Sequence, residues 1–392
     1  MMKISNTIEL RALTDTLYMQ YLLAVTAGDI MLGEVADHLY VSDLDLKKPD
    51  RNKSIREAVD LGFWDTIDTA VDHIYSREED LTPYILLADR MGPDELAEQL
   101  HQYILAHVTL RDASEICNNP YYRNIHIREG SAGMIQLKQN NYLAGEFFQT
   151  YRGSFKRADP FAYADAGFFD EPVDFPVLLE NGRVWMSVVS SEIDSMEEPI
   201  KAAQGEVITF GLGLGYFTYM AAIKEEVESV TVVEMNPYVI SLFRKNILPQ
   251  FPHPEKVRIV QADAFDFIRS PKDREYDYAF SDFWGGTDDG VRLYLDFYRH
   301  AQGFGTKKHD YWIESCFMEY FFRPALMKLL GKEILHKDLP LVSYSKEINR
   351  LMDQFIRYTA GKDITLKTAE DVYCLLEPKT LEQLVHEFAV EF

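Results

Sequence analysis

Cysteine is scarce: Cys117, Cys316 and Cys374 are the only three in 392 residues, and they stand far apart. That count builds no disulfide framework and supplies no C-x-x-C pair, so each reads as a small buried side chain. The ten histidines include no spaced pair backed by carboxylates, and no metal centre is expected. No apolar run approaches the roughly 18 residues of a membrane span. The N-terminus meets acids early and has no signal-type apolar stretch, so a soluble cytoplasmic chain without a membrane partner is expected. Positive charge is also short, with 40 Lys and Arg against 63 Asp and Glu and a net charge of −23. Such a field repels phosphate backbones. The longest basic cluster near the sheet region, Lys307-Lys308, is too short to make a groove for RNA. Nucleic acid is therefore not an expected partner. Small neutral or cationic molecules are, and a homo-oligomer is compatible with the composition.

Glycine, by contrast, is concentrated where it matters. In Glu206-Val-Ile-Thr-Phe-Gly-Leu-Gly-Leu-Gly-Tyr-Phe217, a short apolar strand runs into a turn carrying Gly211, Gly213 and Gly215. Phe217, Met220, Ala221 and Ile223 then recur at helical spacing. Strand, glycine turn and helix bring backbone N–H groups and a helix start against a ligand. Glycine is needed there because a Cβ would block close approach.

Spacing downstream strengthens the reading. A second buried strand, Val230 with Val232 and Val233, ends at Glu234, nineteen residues after Gly215. A carboxylate about 20 residues past a glycine turn is placed to accept hydrogen bonds from ribose hydroxyls. A third strand at 257–260 leads to Asp263 and Ala264, and a fourth at 276–280 leads to Asp282, Phe283 and Trp284. Each candidate falls at the carboxyl end of a strand, where open parallel sheets bind ligands. A nicotinamide fingerprint fits less well, because the residue after Gly215 is Tyr216 rather than glycine.

These residues, Phe210-Gly-Leu-Gly-Leu-Gly215, Glu234, Asp263-Ala264 and Asp282, resemble the class I S-adenosylmethionine-dependent methyltransferases over roughly residues 190–330. The resemblance implies an α/β fold with a Rossmann-like doubly wound sheet and S-adenosylmethionine as cofactor. It places Gly211, Leu212, Gly213, Gly215 and Tyr216 along the methionine and ribose, and Glu234 and Met235 at the ribose. Asp263 and Ala264 fall at the adenine, Asp282 beside the transferred group, and Trp284 and Asp288 toward the substrate. Structural alternatives stand beside these roles. Glu234 and Asp263 could cap helices, Trp284 could pack in a core, and Asp288-Asp289 could be a solvated loop. Two departures limit the resemblance: Phe210 stands where an acid commonly precedes the first glycine, and Ser-Asp-Phe-Trp replaces the Asn/Asp-Pro-Pro-Tyr type. The spermidine synthases, aminopropyltransferases using decarboxylated S-adenosylmethionine, are similar in having a β region before such a domain. They carry an aspartate in the glycine turn where this chain has Leu214.

Around the cofactor region, 1–118 reads as a helical accessory domain, with a loop at 43–53 and an apolar face from Ile55 to Ile74. Thr82-Pro83 and Gly92-Pro93-Asp94 mark helix starts. Residues 119–189 read as a small antiparallel β region, in which Tyr122 to Arg128 alternate and Asn181-Gly182 turns a hairpin. The stretch 192–204 reads as a helix broken or kinked at Pro199, with Ile193, Met196 and Ile200 on one face. Residues 285–290 read as a flexible acidic loop and 311–313 as a fifth strand. A helix at 317–330 is interrupted near Pro324, and 331–392 is a helical extension with 372–376 as a last strand. The expected activity is methyl transfer to a small, amine-containing molecule. Aminopropyl transfer and a non-catalytic cofactor-binding scaffold are the alternatives.

Overall fold

Four runs rich in β-branched and aromatic residues and a fifth, charged one form one parallel sheet: β1 Gly205–Phe210, β2 Val227–Glu234, β3 Val257–Gln261, β4 Tyr276–Ser281 and the charged β5 Thr306–Tyr311. The computed structural model describes residues 2–36, 107–151, 155–161, 165–270 and 275–391. The expected features at 43–53, 55–74, 82–83 and 92–94 lie outside them. Strand order is β3-β2-β1-β4-β5, with every neighbouring pair parallel. The chain steps outward from β1 to β3 and then returns to the other side of β1, so the order reverses between β1 and β4. That reversal opens a crevice at the carboxyl ends of the strands.

The central strands β1, β2 and β4 are buried on both faces, as in other parallel sheets. Val207, Val230, Val232, Tyr278 and Phe280 enter one core. Ile208, Phe210, Val233 and Ala279 enter the other. The first core is shared with the β region in front of the sheet. The second also takes residues from helices at both ends of the chain: α1 Ile8–Ala36 and, after the sheet, the helical segments from Glu314 onward. Between them come α2 Ser190–Ala202, α3 Tyr216–Ala222, α4 Pro237–Leu242, α5 Ala264–Arg269 and α6 Thr287–Ala301. The chain closes with α7 Lys346–Gly361, α8 Ala369–Leu376 and α9 Pro378–Glu391, the last packed on α6. No described helix is long and apolar enough to cross a membrane.

The β region holds a four-stranded antiparallel sheet of Gly130–Ala132, Ile135–Tyr142, Val173–Glu180 and Arg183–Ser187. Its expected hairpin turns at Asn181 and Gly182, both left-handed with φ of 53° and 77°. A three-stranded sheet pairs Asp165–Phe169 with Phe148–Thr150 and, in parallel, with Val108–Arg111. That last strand lies in a stretch expected to be helical.

Other local expectations are corrected. Residues 372–376 are helix rather than strand, because Thr368 and Asp371 form a capping box that starts α8. The alternating stretch from Tyr122 begins as a helical turn, Pro120–Asn124, capped by Asn119. Pro199 does not break α2, which continues to Ala202. The fifth strand lies at Thr306–Tyr311 and carries Lys307 and Lys308 on an edge strand of this sheet. Near Pro324 a π-helical turn, Met318–Phe322, precedes the helix Arg323–Leu330 and absorbs the proline. The acidic loop ends at Gly286, since Asp288 and Asp289 already belong to the first turn of α6.

Candidate functional site

A cavity of 650 Å3 opens where β1, β2, β3 and β4 end. Gly211, Leu212 and Gly213 line it after β1, Glu234 and Met235 at β2, Asp263 and Ala264 after β3, and Asp282 and Trp284 after β4. Gly215, Tyr216 and Asp288 do not. Gly215 turns left-handed (φ 74°) at the start of α3, over the Phe243 ring. Tyr216 is buried, and its hydroxyl accepts a hydrogen bond from the Asn119 amide at 2.9 Å. Asp288 is exposed on α6.

The glycine turn and the end of β4 are joined backbone to backbone. The Asp282 N–H donates to the Phe210 carbonyl at 2.8 Å, and the Gly211 N–H donates to Val233 at 2.9 Å. Gly211 has φ 101°, and a Cβ there would run into the Asp282 carbonyl. Glycine is therefore what lets the turn lie against the acid-bearing strand end. At Gly213 (φ 50°) the neighbour is instead the Met186 side chain, whose sulfur accepts the Leu214 N–H at 3.0 Å.

Glu234 is buried and already held in place. Its two oxygens accept the backbone N–H groups of Leu212 (3.1 Å) and Asn236 (2.7 Å). Burial raises its pKa against these bonds. Capping of α4 falls to Asn236, whose side chain accepts from Tyr238 N–H at 3.0 Å. Glu234 is thus free of the capping role. Asp263 does both jobs: it caps α5 through the Asp266 N–H at 3.1 Å and lines the cavity.

Burial pushes Asp282 up to about 7, with the Glu234 charge adding to the effect. Behind it, Ser281 hydrogen-bonds His309 at 2.8 Å, and burial drives that imidazole down to about 3, so it is neutral. Trp284 is 4% exposed, and its indole N–H has no hydrogen-bond partner.

Among the lining residues that escaped the sequence reading are Glu180, Met186, Glu192 and Trp312. Glu192 lies one helical turn before the buried Met196 on α2, and i,i+4 spacing puts an acid on that helix's apolar face. That spacing was the available signal. With Glu180, Glu192, Glu234, Asp263 and Asp282 in the lining, the cavity presents five carboxylates. Among the described residues around it there is no lysine, arginine or histidine. A cationic ligand is favoured there and a phosphorylated one opposed.

An S-adenosylmethionine-type ligand fits this arrangement. The Glu234 oxygens keep lone pairs for hydroxyl donors, and the backbone of Gly211, Leu212 and Gly213 lines the cavity. The apolar walls, Met134, Trp185 and Met196 among them, suit a nucleoside.

No protein-family model matches the chain, and no curated protein matches it. Solved structures that it resembles include a spermidine synthase in complex with the transition state analogue AdoDATO, at 17% identity, 34% of this chain, 49% of that one and a TM-score of 0.27. Spermidine synthase from Thermotoga maritima is 15% identical over 41% of this chain and 60% of its own, with a TM-score of 0.27. Precorrin 8W decarboxylase from Methanobacterium thermoautotrophicum is 20% identical over 30% and 59%, with a TM-score of 0.23. The chain spans about half to three fifths of the length of these structures.

Proposed function

We propose that this chain is a transferase that binds S-adenosylmethionine in the 650 Å3 cavity and moves its methyl group to the nitrogen of a small amine. The observation that carries this reading is the cavity's acidic lining. Five carboxylates, with no basic side chain among the described lining, meet where a sheet of this order binds ligands. Glu234 would hold the ribose, Asp263 and Ala264 the adenine, and the Gly211–Gly213 backbone the turn between them. The bound donor supplies an electrophilic carbon on a sulfonium. The protein's part is to align a nitrogen lone pair with that carbon and to exclude water. Asp282 faces the charge that develops on the nitrogen, and Trp284 walls the same end.

One observation favours aminopropyl transfer from decarboxylated S-adenosylmethionine as the second reading: nothing basic in the described lining would pair with the donor's carboxylate. Against it, Leu214, at the position of the synthases' aspartate, is fully buried away from the cavity.

Calorimetric titration with S-adenosylmethionine, S-adenosylhomocysteine and decarboxylated S-adenosylmethionine tests both, on wild type and Glu234→Ala. Binding of the first two, weakened in the variant, supports methyl transfer. Preference for the decarboxylated donor supports aminopropyl transfer, binding without turnover on any amine supports a scaffold, and no binding at all refutes the donor site.

A further inference from the structure

A second cavity, of 280 Å3, adjoins the first and shares two of its residues, Glu192 of α2 and Trp312 just past β5. Tyr151, Asp165, Ser195 and Glu319 stand around it, and the described lining again holds no lysine or arginine. Trp312 is fixed by its indole N–H, which donates to Ser195 Oγ at 2.9 Å. Glu192, on the wall between the cavities, is held by one oxygen only. Oε1 accepts from the backbone N–H and the hydroxyl of Ser187, both at 3.2 Å. Oε2 is inaccessible to solvent and has no hydrogen-bond partner. A carboxylate oxygen withdrawn from water is costly unless it is protonated or paired with a ligand.

An amine acceptor sets a requirement that the donor cavity alone does not meet. Alkylamines titrate near the lysine value of about 10.4, so at neutral pH they arrive as ammonium ions with no lone pair. We propose that the 280 Å3 cavity seats the acceptor as an alkylammonium ion, and that the Glu192 carboxylate takes its proton and passes neutral amine to the donor cavity. This rests on the sulfonium-donor reading and divides the work between two carboxylates. The ammonium R–NH3+ gives one proton to the Glu192 carboxylate, leaving R–NH2 and a neutral carboxylic acid. The nitrogen lone pair then forms the N–C bond while the C–S bond breaks, its electron pair going to sulfur. A neutral thioether and a secondary ammonium opposite Asp282 result, and Glu192 returns its proton to solvent.

The groups that face Glu192 are Asp282 from the end of β4 and Tyr122 and Tyr142 from the β region. Burial pushes Glu192 up to about 8, opposed by the Ser187 hydrogen bonds and reinforced by Asp282. A base of that strength accepts an ammonium proton near neutral pH better than an ordinary carboxylate does.

The test compares wild type, Glu192→Gln and Glu192→Asp with butylamine and with trifluoroethylamine, which is already neutral at pH 7. For butylamine, wild-type kcat/KM should fall as pH drops below about 8. Glu192→Gln should lose about 100-fold at pH 7, recover roughly tenfold per pH unit toward the amine's own value of about 10, and use trifluoroethylamine nearly as well as wild type. Glu192→Asp should restore an enzyme-borne limb. Independently of turnover, calorimetry in two buffers of different ionisation enthalpy should show butylamine binding at pH 7 coupled to proton release. That release should persist in Asp282→Asn and vanish in Glu192→Gln. An unchanged limb, equal losses on both amines, or unchanged proton release in Glu192→Gln would overturn Glu192's role while leaving donor binding intact. A wild type that binds no sulfonium donor would overturn this proposal together with the function it rests on.

Discussion

Alanine placed at Gly211 and at Gly213 should have unequal effects, although the two sites are two residues apart in one turn. Both have positive φ, 101° and 50°, and forcing alanine there costs roughly 1–2 kcal/mol. What lies in front of each Cβ separates them. At Gly211 the methyl would stand 2.7 Å from the Asp282 carbonyl carbon, in a backbone segment tied to Phe210 by a 2.8 Å hydrogen bond. That segment can yield only by breaking the tie, so overpacking adds roughly 1–3 kcal/mol, for a total of about 2–5. At Gly213 the obstacle is the Met186 thioether, its sulfur nearest and its methyl 2.8 Å away, on a flexible side chain that can swing aside at the loss of the weak Leu214 N–H contact to sulfur. The total there should stay at about 1–2 kcal/mol. Urea unfolding followed by circular dichroism measures both, and a Gly213→Ala/Met186→Ala double variant should recover part of the smaller loss. Equal costs at the two positions, or a neutral Gly211→Ala, would show that the backbone join between β1 and β4 is not as described.

Glu234→Ala removes a charged acceptor, worth about 1.5–3 kcal/mol per ligand hydrogen bond, so S-adenosylmethionine affinity should drop 10- to 100-fold by calorimetry. Asp282 carries a raised pKa of about 7, and an acid raised on folding contributes stability below its unfolded value that is lost as pH rises through the folded one. Asp282→Asn should therefore match wild type in urea melts near pH 4 and exceed it at pH 8; a lower stability at pH 8 would contradict the assignment. Arg323 is 1% exposed and donates to the carbonyls of Leu376 (3.0 Å) and Pro160 (3.3 Å) beneath the Phe155 ring. Arg323→Met leaves both carbonyls unpaired and should cost about 3–5 kcal/mol, read as a lower urea midpoint.

The sheet was legible because its signals were local and repeated. Val207, Ile208, Phe210, Val230, Val232 and Val233 are apolar runs of strand length, and each ends in a glycine or an acid. Glu192 was not legible in the same way. One acid among Ile193, Met196 and Ile200 looks like the solvated edge of an amphipathic helix until α2 is seen lying over the cavity. At 372–376, Val-Tyr-Cys-Leu-Leu has strand-like residues, yet Thr368 and Asp371 already mark a helix start, and the cap outweighed propensity. The fifth strand, expected at 311–313, lies at Thr306–Tyr311, where Lys307 and Lys308 interrupt any apolar run; on an edge strand such charge guards against further pairing. Tyr216 sits in the fingerprint by sequence and out of the cavity in space, since α3 begins there and turns its ring toward Asn119.

The backbone join between Gly211 and Asp282 also bears on how the site comes into being. The residues it connects belong to strands separated in the chain by β2 and β3, so the cavity is a product of long-range closure rather than of any local motif. A folding chain that has paired β1 with β2 but has not yet added β4 would already hold Glu234 against the glycine turn, with no far wall to enclose a ligand. Gain of donor binding during refolding should therefore lag the formation of secondary structure and keep time with the docking of β4, making ligand capture a clock for the slowest pairing in the sheet.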